Sequence, residues 1–447
     1  MSRLIPSLLA VALLLLTSCN LLFPEPPPLA CFDNQRPLAL SRVENPAGLP
    51  YVPGQLLVRY QELSGLQPQA RLSIAAAVQA SFQLTLLQDG GGYGPDLVRV
   101  PPGQDVRALA ALLSADPRVL YAEPNYFLYT LARPPTNDPY IMQQWNMLNF
   151  GLPQAWVHET GRASVTIAII DTGVYTRHQD LAGRLLPGCD FGDRDNDPNP
   201  GNVTNTHGTH VAGIAAATGD NGVGVAGVAY RGVRILPVKV SRSDGRIETS
   251  DVAHAIRWAA GLPVSGVNTN PHPAQIINIS LGHSGTNPVL DSAVADARRA
   301  GAIVVAAAGN SSLSNAIYAP ANAPGALAVG SVNNDRRRSS FSNYHTTGRT
   351  VDLMAPGGVG PGPLPVSVLS TIPGNQYGHM SGTSMAAPFV AGVAALIWSR
   401  EPDLTADQVI KRLEGTAYFG SRMNRAEYGA GIVCADAALG ASTTCGR

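Results

Sequence analysis

The chain has 447 residues, a formal net charge of zero and a charged fraction of 14%. This length allows two domains, and a hydrophobic content of 45% can supply their buried cores. Disordered tails and nucleic-acid-binding surfaces need a charge excess that this sequence lacks. We therefore expect a folded protein with no nucleic-acid partner.

The N-terminal residues combine a positive charge with a short apolar segment. Arg3 precedes the apolar run 8–16, which is well below the ~20 residues of a membrane-spanning helix. A secretory signal peptide fits this pattern better. The sequence Leu-Thr-Ser-Cys that ends at Cys19 resembles a bacterial lipobox, so we predict a lipoprotein-type signal peptide at 1–18 and a lipid on Cys19. An ordinary signal peptide with an incidental cysteine is the alternative.

A proline-rich segment and a small domain follow. Residues 19–50 are expected to form an extended tether. Residues 51–130 then show a β-α-β-β-α-β order, which is typical of a small α+β ferredoxin-like domain. The patterns predict strands at 54–60, around 82–87, at 97–100 and at 119–126, with helices at 69–79 and 106–114.

After the small domain, three polar residues lie at positions where catalytic groups are often found. Asp171 ends a β-branched run typical of a strand buried on both faces, and such strands carry sites at their carboxyl ends. His207 opens a helix of small residues. Ser384 lies near the start of the apolar helix that includes 389–398, and Pro388 is expected in its first turn.

A hydroxyl at a helix N-terminus lies beside unpaired N–H groups and the positive end of the helix dipole. Both favour an anion that forms on a substrate, which suits acyl transfer. Because serine alone is a weak nucleophile, it needs a base and a group that orients the base. His207 and Asp171 can supply these two roles, in the chain order Asp, His, Ser.

Five linked motifs resemble the subtilisin-like serine proteases, most closely the thermitase-like branch. The resemblance covers about residues 137–440 and implies a parallel-sheet α/β catalytic domain at 137–447, preceded by an inhibitory propeptide at 51–130. Any one motif could arise by chance, but five in one order are specific. They are the segments 169–174, 207–210, 280–282, 307–310 and 382–388.

The resemblance implies a role for each catalytic residue. Ser384 would attack the peptide carbonyl, His207 would carry the proton, and Asp171 would hold the imidazole tautomer. The Asn310 side-chain amide would complete an oxyanion hole with the Ser384 backbone N–H. Taken singly, Asp171 could instead be a helix cap, His207 a core histidine and Asn310 a turn residue. Their joint order favours the catalytic interpretation.

The resemblance also implies how an extended substrate is held, mainly through backbone. One edge of the substrate would pair with 280–282 and the other with a segment that contains Gly245. Ile247 departs from the glycine that relatives often have there. The primary pocket would have Tyr318 near its floor, and the implied substrate-binding residues are Ser280, Leu281, Gly282, Gly245, Ala308, Gly309 and Tyr318.

Calcium is the cofactor that the resemblance implies, because both candidate sites are rich in oxygen ligands. The first site would use side chains of Asp138, Asp180 and Asn221 and carbonyls of Thr218, Val223 and Val225. The second, an acidic loop, could equally be a solvated surface segment. It contains Asp190, Asp193, Asp195, Asp197 and Asn199. Zinc is not expected at His207 and His210, because the glutamate and spacing of an HExxH site are absent.

Four cysteines remain after Cys19, and an even number permits disulfides outside the cytoplasm. They are Cys31, Cys189, Cys434 and Cys445, which allow three connectivities. The short separation of Cys434 and Cys445 makes this pair the first expectation.

The sequence thus predicts an extracytoplasmic serine endopeptidase made as a self-processing zymogen. Protein or peptide substrates and its own propeptide are the expected partners, and the enzyme is expected to be a monomer. The precursor would be held at the membrane by lipid on Cys19, with release after maturation. The competing hypothesis is a catalytically inactive surface-binding protein with the protease fold.

Overall fold

The computed structural model describes residues 51–61, 68–90, 94–126, 135–202, 204–360, 366–440 and 445. The predicted signal peptide, Cys19, the tether and Cys31 lie outside these residues. Within the described part of the chain, no helix combines the length and apolar character that crossing a membrane requires.

The N-terminal domain is a four-stranded antiparallel sheet with two helices. Its strand order is β2-β3-β1-β4, which confirms the predicted ferredoxin-like arrangement. Leu56, Val98 and Leu113 are fully buried in its own apolar core. The elements are β1 (Tyr51–Tyr60), α1 (Pro68–Ser81), β2 (Thr85–Gln88), β3 (Asp96–Arg99), α2 (Val106–Ser114) and β4 (Val119–Tyr126).

The second domain is built on a parallel sheet, as the sequence predicts, and this sheet has seven strands. The strand order is β11-β10-β9-β8-β5-β7-β6, and all six residues of β5 are buried. This burial explains the unbroken apolar run before Asp171. The strands are β5 (Thr166–Asp171), β6 (Cys189–Asp190), β7 (Arg234–Lys239), β8 (Ile276–Ile279), β9 (Ile303–Ala307), β10 (Ala326–Val332) and β11 (Leu353–Pro356).

Helices cover this sheet, and a separate hairpin joins β12 (Val368–Ile372) to β13 (Gln376–Met380). The longest described helix, α8, packs on β8, β9, β10, β11 and the helix α5. The helices are α3 (Trp145–Leu148), α4 (Leu152–Ala155), α5 (His207–Ala216), α6 (Thr249–Ala259), α7 (Pro288–Arg299), α8 (Thr383–Arg400), α9 (Ala406–Gly415), α10 (Arg425–Tyr428) and α11 (Ala435–Ala438).

The position of Pro388 corrects one expectation. Helix α8 begins at Thr383, so Pro388 lies in the second turn and not in the first. The proline has no N–H to donate to the carbonyl of Ser384, four residues earlier. The hydroxyl of Ser280 donates to that carbonyl at 2.9 Å, which explains why the proline is tolerated there.

Candidate active site

Asp171 and His207 meet where a strand ends and a helix begins. The Asp171 Oδ1 lies 2.7 Å from His207 Nδ1 and also accepts the N–H of Thr172 at 2.7 Å. Helix α5 can approach this closely because its second residue is Gly208. A Cβ there would lie 2.3 Å from the carbonyl oxygen of Gly173 and 3.1 Å from Asp171 Oδ1. The His-Gly sequence therefore has a steric reason.

The surroundings of His207 raise the proton affinity of its imidazole. Burial opposes the charged imidazolium, but the Asp171 carboxylate more than offsets this, so the pKa of His207 is raised above its ordinary value. The carboxylate is only 1% exposed and the imidazole is 33% exposed. The imidazole can therefore exchange a proton with a molecule in the cleft while its Nδ1 remains fixed.

Ser384 is the second residue of α8 and is buried. Its hydroxyl donates to the carbonyl of Ser280 at 3.0 Å, and among the described residues no hydrogen bond joins it to His207. Both side chains line one cavity of about 450 Å³. The hydroxyl must therefore turn away from Ser280 before His207 can take its proton.

Asn310 follows β9 and lines the same cavity. Its Oδ1 accepts the backbone N–H and the hydroxyl of Thr383, both at 2.8 Å. Gly309 before it has φ +107°, and a Cβ there would lie 2.4 Å from Asn343 Nδ2, so this turn requires glycine. Because two donors hold the oxygen, the amide Nδ2 of Asn310 is left for another acceptor.

Tyr318 lies close to three other residues that are expected to bind substrate, namely Gly282, Ala308 and Gly309. Its ring would contact a Cβ on Gly309 at 3.0 Å, and its Cβ lies 3.6 Å from the corresponding position on Gly282. Its hydroxyl lies 2.7 Å from Ser311 Oγ, and its N–H donates to the buried Ala308 carbonyl. The side chain of Tyr318 therefore lies between the segments that carry Gly282 and Gly309.

Other predicted substrate contacts lie closer to solvent. Leu281 is half-buried after the end of β8. Gly245 is at an exposed turn between Ser241 and Ile247, and nothing lies within 4 Å of the position that its Cβ would occupy. The structure does not pack Gly245 against Tyr318.

Sequence reasoning missed several residues of the cavity. The hairpin that contains β13 brings His379 and Met380 beside Ser384 and His207. Their positions in the cavity depend on the pairing of β13 with β12, so no local sequence pattern predicts them. His210, in contrast, does not line the cavity. It is fully buried, its Nε2 is within 3.1 Å of two backbone carbonyls, and burial lowers its pKa to about 3.

Comparison with known proteins identifies both domains. A family model described as the Subtilase family matches residues 162–431, which is more than half of the chain. The chain belongs to the subtilase family. A second model, described as the Fervidolysin N-terminal prodomain, matches residues 37–125.

Relatives agree with this assignment. The chain is 38% identical over 380 residues to the thermophilic serine proteinase of Bacillus sp. (strain AK1), covering 83% of this chain and 85% of that protein. It is 40% identical over 282 residues to thermitase of Thermoactinomyces vulgaris, covering 63% and 91%. A solved protease structure from Pseudoalteromonas arctica PAMC 21717 superimposes with a TM-score of 0.63 at 38% identity, covering 69% and 99%. The protein is therefore a subtilisin-like serine protease with an N-terminal prodomain, as predicted.

The first candidate calcium site of this subtilase contains two buried carboxylates, Asp138 and Asp180. Asp180 accepts Asn221 Nδ2 and the N–H of Val225, both at 2.9 Å, and Asp138 accepts two backbone N–H groups of the same loop. Burial raises the pKa of Asp180 to about 6, and the nearby Asp138 charge adds to this effect. Two buried carboxylates that lie close together favour the binding of a cation between them.

The predicted carbonyl ligands of this first site are available. In the described part of the chain, the backbone oxygens of Thr218, Val223 and Val225 accept no hydrogen bond. Asn221 can present its Oδ1 by rotation of its amide. The donor set is all oxygen and fits calcium.

The acidic loop 190–199 has a different arrangement. Lys239 Nζ, at the end of β7, lies 2.5 Å from Asp190 Oδ2 and 2.6 Å from Asp193 Oδ2. Asp195 Oδ1 accepts the N–H of Asp197. Asp197 Oδ1 in turn accepts from Asn199, whose Oδ1 accepts from Thr176. Among the described residues, no three of these carboxylates come within 4.8 Å of one another, and Lys239 pairs with two of them.

Two of the described cysteines are paired. Cys434 and Cys445 form a disulfide with Cα atoms 5.4 Å apart, which confirms the first expectation. Cys189 has no disulfide partner among the described residues; it is buried, and burial raises the pKa of its thiol to about 11. Its thiolate is therefore scarce at neutral pH.

Proposed function

We propose that this subtilase is an endopeptidase that forms an acyl-enzyme on Ser384. The observation that carries the proposal is the convergence of His207, Ser384 and Asn310 on one cavity, with Asp171 bonded to the far side of the imidazole. Asp171, His207 and Ser384 lie at the ends of a strand or helix, and Asn310 lies in the turn that follows β9, so the fold sets their spacing.

The arrangement supports a two-stage reaction. His207 removes the proton of Ser384 as the hydroxyl attacks the peptide carbonyl, and Asp171 stabilises the imidazolium that forms. The Asn310 Nδ2 and the Ser384 backbone N–H stabilise the oxyanion. The imidazolium then protonates the leaving amine, and the same base activates water to release the acid. With intact groups for every step, the inactive binding protein is the weaker hypothesis.

Tyr318 supports a preference in the residue before the scissile bond. Its ring lies against Gly309 and its hydroxyl is tied to Ser311, so it cannot swing freely out of the pocket. A pocket that already holds this ring has less volume for another. We therefore expect faster cleavage after residues with small or medium side chains than after residues with large aromatic ones.

Calcium at the first candidate site is proposed to stabilise the domain. The Asp138 carboxylate, the Asp180 carboxylate and an Asn221 amide oxygen would bind it, together with the three carbonyls of the loop. When bound, calcium would supply charge neutralisation for two buried carboxylates and would tie the loop 218–225 to Asp138.

We further propose a zymogen that carries its lipid on the part that is removed. Cys19 precedes the prodomain, so a cut between about Tyr126 and Asp138 separates the anchor from the enzyme. The cleaved prodomain would act as an inhibitor until it is degraded. A disulfide between Cys31 and Cys189 would instead retain the enzyme, and membrane fractionation with and without reductant tests this: release that depends on reductant indicates the tether.

Covalent labelling tests the proposed chemistry directly. A sulfonyl fluoride should react with one serine, Ser384, and should abolish peptide hydrolysis in proportion to labelling. The His207→Ala variant should lose this reactivity although it keeps the hydroxyl, because the base is gone. Two results would contradict the mechanism: full hydrolysis by completely labelled protein, or equal labelling of the unmodified protein and of His207→Ala.

A further inference from the structure

Helix α8 lacks one of its own hydrogen bonds at the nucleophile. The carbonyl of residue i normally accepts the N–H of residue i+4, and the residue four after Ser384 is Pro388. Ser384 is buried, so water cannot easily take the place of the missing donor. An unpaired buried carbonyl at this point would destabilise the turn that carries the nucleophile.

The side chain of Ser280 supplies the missing donor. Its hydroxyl donates to the Ser384 carbonyl at 2.9 Å, while its own carbonyl accepts the Ser384 hydroxyl at 3.0 Å. The Nδ2 of Asn278 donates to the Oγ of Ser280 at 3.0 Å. Because Asn278 fills the acceptor side of this hydroxyl, the proton of Ser280 is directed at Ser384.

The location of this pair links two structural elements. Asn278 belongs to β8, Ser280 follows the strand, and Ser384 is in the first turn of α8. Ser280 is 3% exposed and Asn278 is fully buried, so solvent does not weaken these contacts. The Ser280 hydroxyl fixes the backbone of Ser384 relative to the sheet. The second bond, from the Ser384 hydroxyl to the Ser280 carbonyl, must break before that hydroxyl can give its proton to His207.

We propose that Ser280 is a positioning residue: its side chain replaces the hydrogen bond that Pro388 removes and so holds the backbone of Ser384 where its hydroxyl can turn to His207. This role is separate from the substrate pairing expected of the Ser280 backbone. It rests on the proposed function of Ser384 as the nucleophile. A misplacement of about 1 Å at a reacting group can lower the rate on the order of a hundredfold.

The test begins with Ser280→Ala, which keeps the backbone atoms. We expect kcat to fall roughly tenfold, since the Ser384 carbonyl loses a buried donor. KM should stay within about twofold, because substrate pairing uses the backbone. The rate of sulfonyl fluoride labelling at Ser384 should fall in parallel with kcat. Ser280→Thr keeps the hydroxyl and should retain most of the activity.

The deciding measurement is rescue by Pro388→Ala. Alanine restores an N–H to the helix, so Ser280→Ala/Pro388→Ala should recover most of the kcat lost in Ser280→Ala. Pro388→Ala alone measures any separate effect of the helix change. An unchanged kcat in Ser280→Ala, or a double variant no better than Ser280→Ala, would overturn the proposal. Failure of the proposed function looks different, because the unmodified protein itself would then neither hydrolyse peptides nor become labelled.

Discussion

Lys239→Met should destabilise the catalytic domain measurably. The Lys239 ammonium bridges Asp190 and Asp193 at 2.5 and 2.6 Å, and the Lys239 and Asp190 side chains are 3% and 1% exposed. Methionine keeps most of the side-chain volume but removes the charge. Asp190 would then remain as a buried carboxylate with no cationic partner, which is the costly way to break an ion pair.

The expected loss follows from burial. Removal of one partner of a buried pair costs about 3–5 kcal/mol in general. Asp190 keeps the N–H donors of Gly192 and Asp193, and the Asp193 side chain is 29% exposed, so its share is screened by solvent. We therefore take the lower end, about 3 kcal/mol. For a domain of this size the loss corresponds to a fall in Tm of roughly 6 °C.

Calorimetry of matched variants measures this effect. All proteins should carry Ser384→Ala, so that self-digestion does not distort the transition. Asp190→Asn/Lys239→Met should recover part of the loss, because no carboxylate is then left unpaired. Arg246→Met is the matched surface control. Its partner is Asp244, the Arg246 side chain is 78% exposed, and we expect no measurable change in Tm.

Two outcomes would refute this reasoning. If Lys239→Met melts with the same Tm as its parent, the ammonium does not hold the loop. If the loss appears only without calcium and excess calcium abolishes it, the acidic loop is a metal site, as the family resemblance first indicated. Calcium should therefore be varied in every series.

The other predictions concern pH, metal and specificity. Activity needs neutral His207, so kcat/KM should rise with pH and reach half its maximum above the ordinary imidazole pKa of 6.5. Asp171→Asn should move this midpoint to lower pH and reduce kcat about 10⁴-fold; an unmoved midpoint would contradict the assignment. Chelation should lower Tm, calcium should restore it, and Asp180→Asn should weaken this response; a melting curve indifferent to chelation counts against the site. Tyr318→Gly should improve cleavage after Phe or Tyr in a peptide library, whereas identical profiles would show that the ring does not limit the pocket.

Much of the site could be predicted because its residues stand at the ends of readable elements. Asp171 closes an apolar strand, His207 opens a helix of small residues, and Asn310 follows β9 closely. These signals are local in sequence, and the fold then brings them together. The four strands and two helices of the prodomain were likewise predicted from short patterns, with the first strand beginning three residues earlier than expected.

The residues that sequence reasoning missed depend on long-range packing. Lys239 reaches Asp190 only through the pairing of β7 with β6, and His379 reaches the cavity through a hairpin. The prediction that Pro388 lies in the first turn was wrong because Ser280 donates the hydrogen bond that the proline cannot. Ser280 lies 104 residues before Ser384 in the sequence. A pattern that is local in sequence cannot reveal a hydrogen-bond donor that another element provides.

The central claim is that Ser384 is the nucleophile of a self-processing protease, and one comparison tests it most directly. The intact mass and N-terminal sequence of the purified full chain should be measured with and without Ser384→Ala, alongside hydrolysis of casein. We predict that the unmodified chain is cut between Tyr126 and Asp138 and hydrolyses casein, while Ser384→Ala stays uncut and inactive. Normal processing or casein hydrolysis by Ser384→Ala would contradict the account.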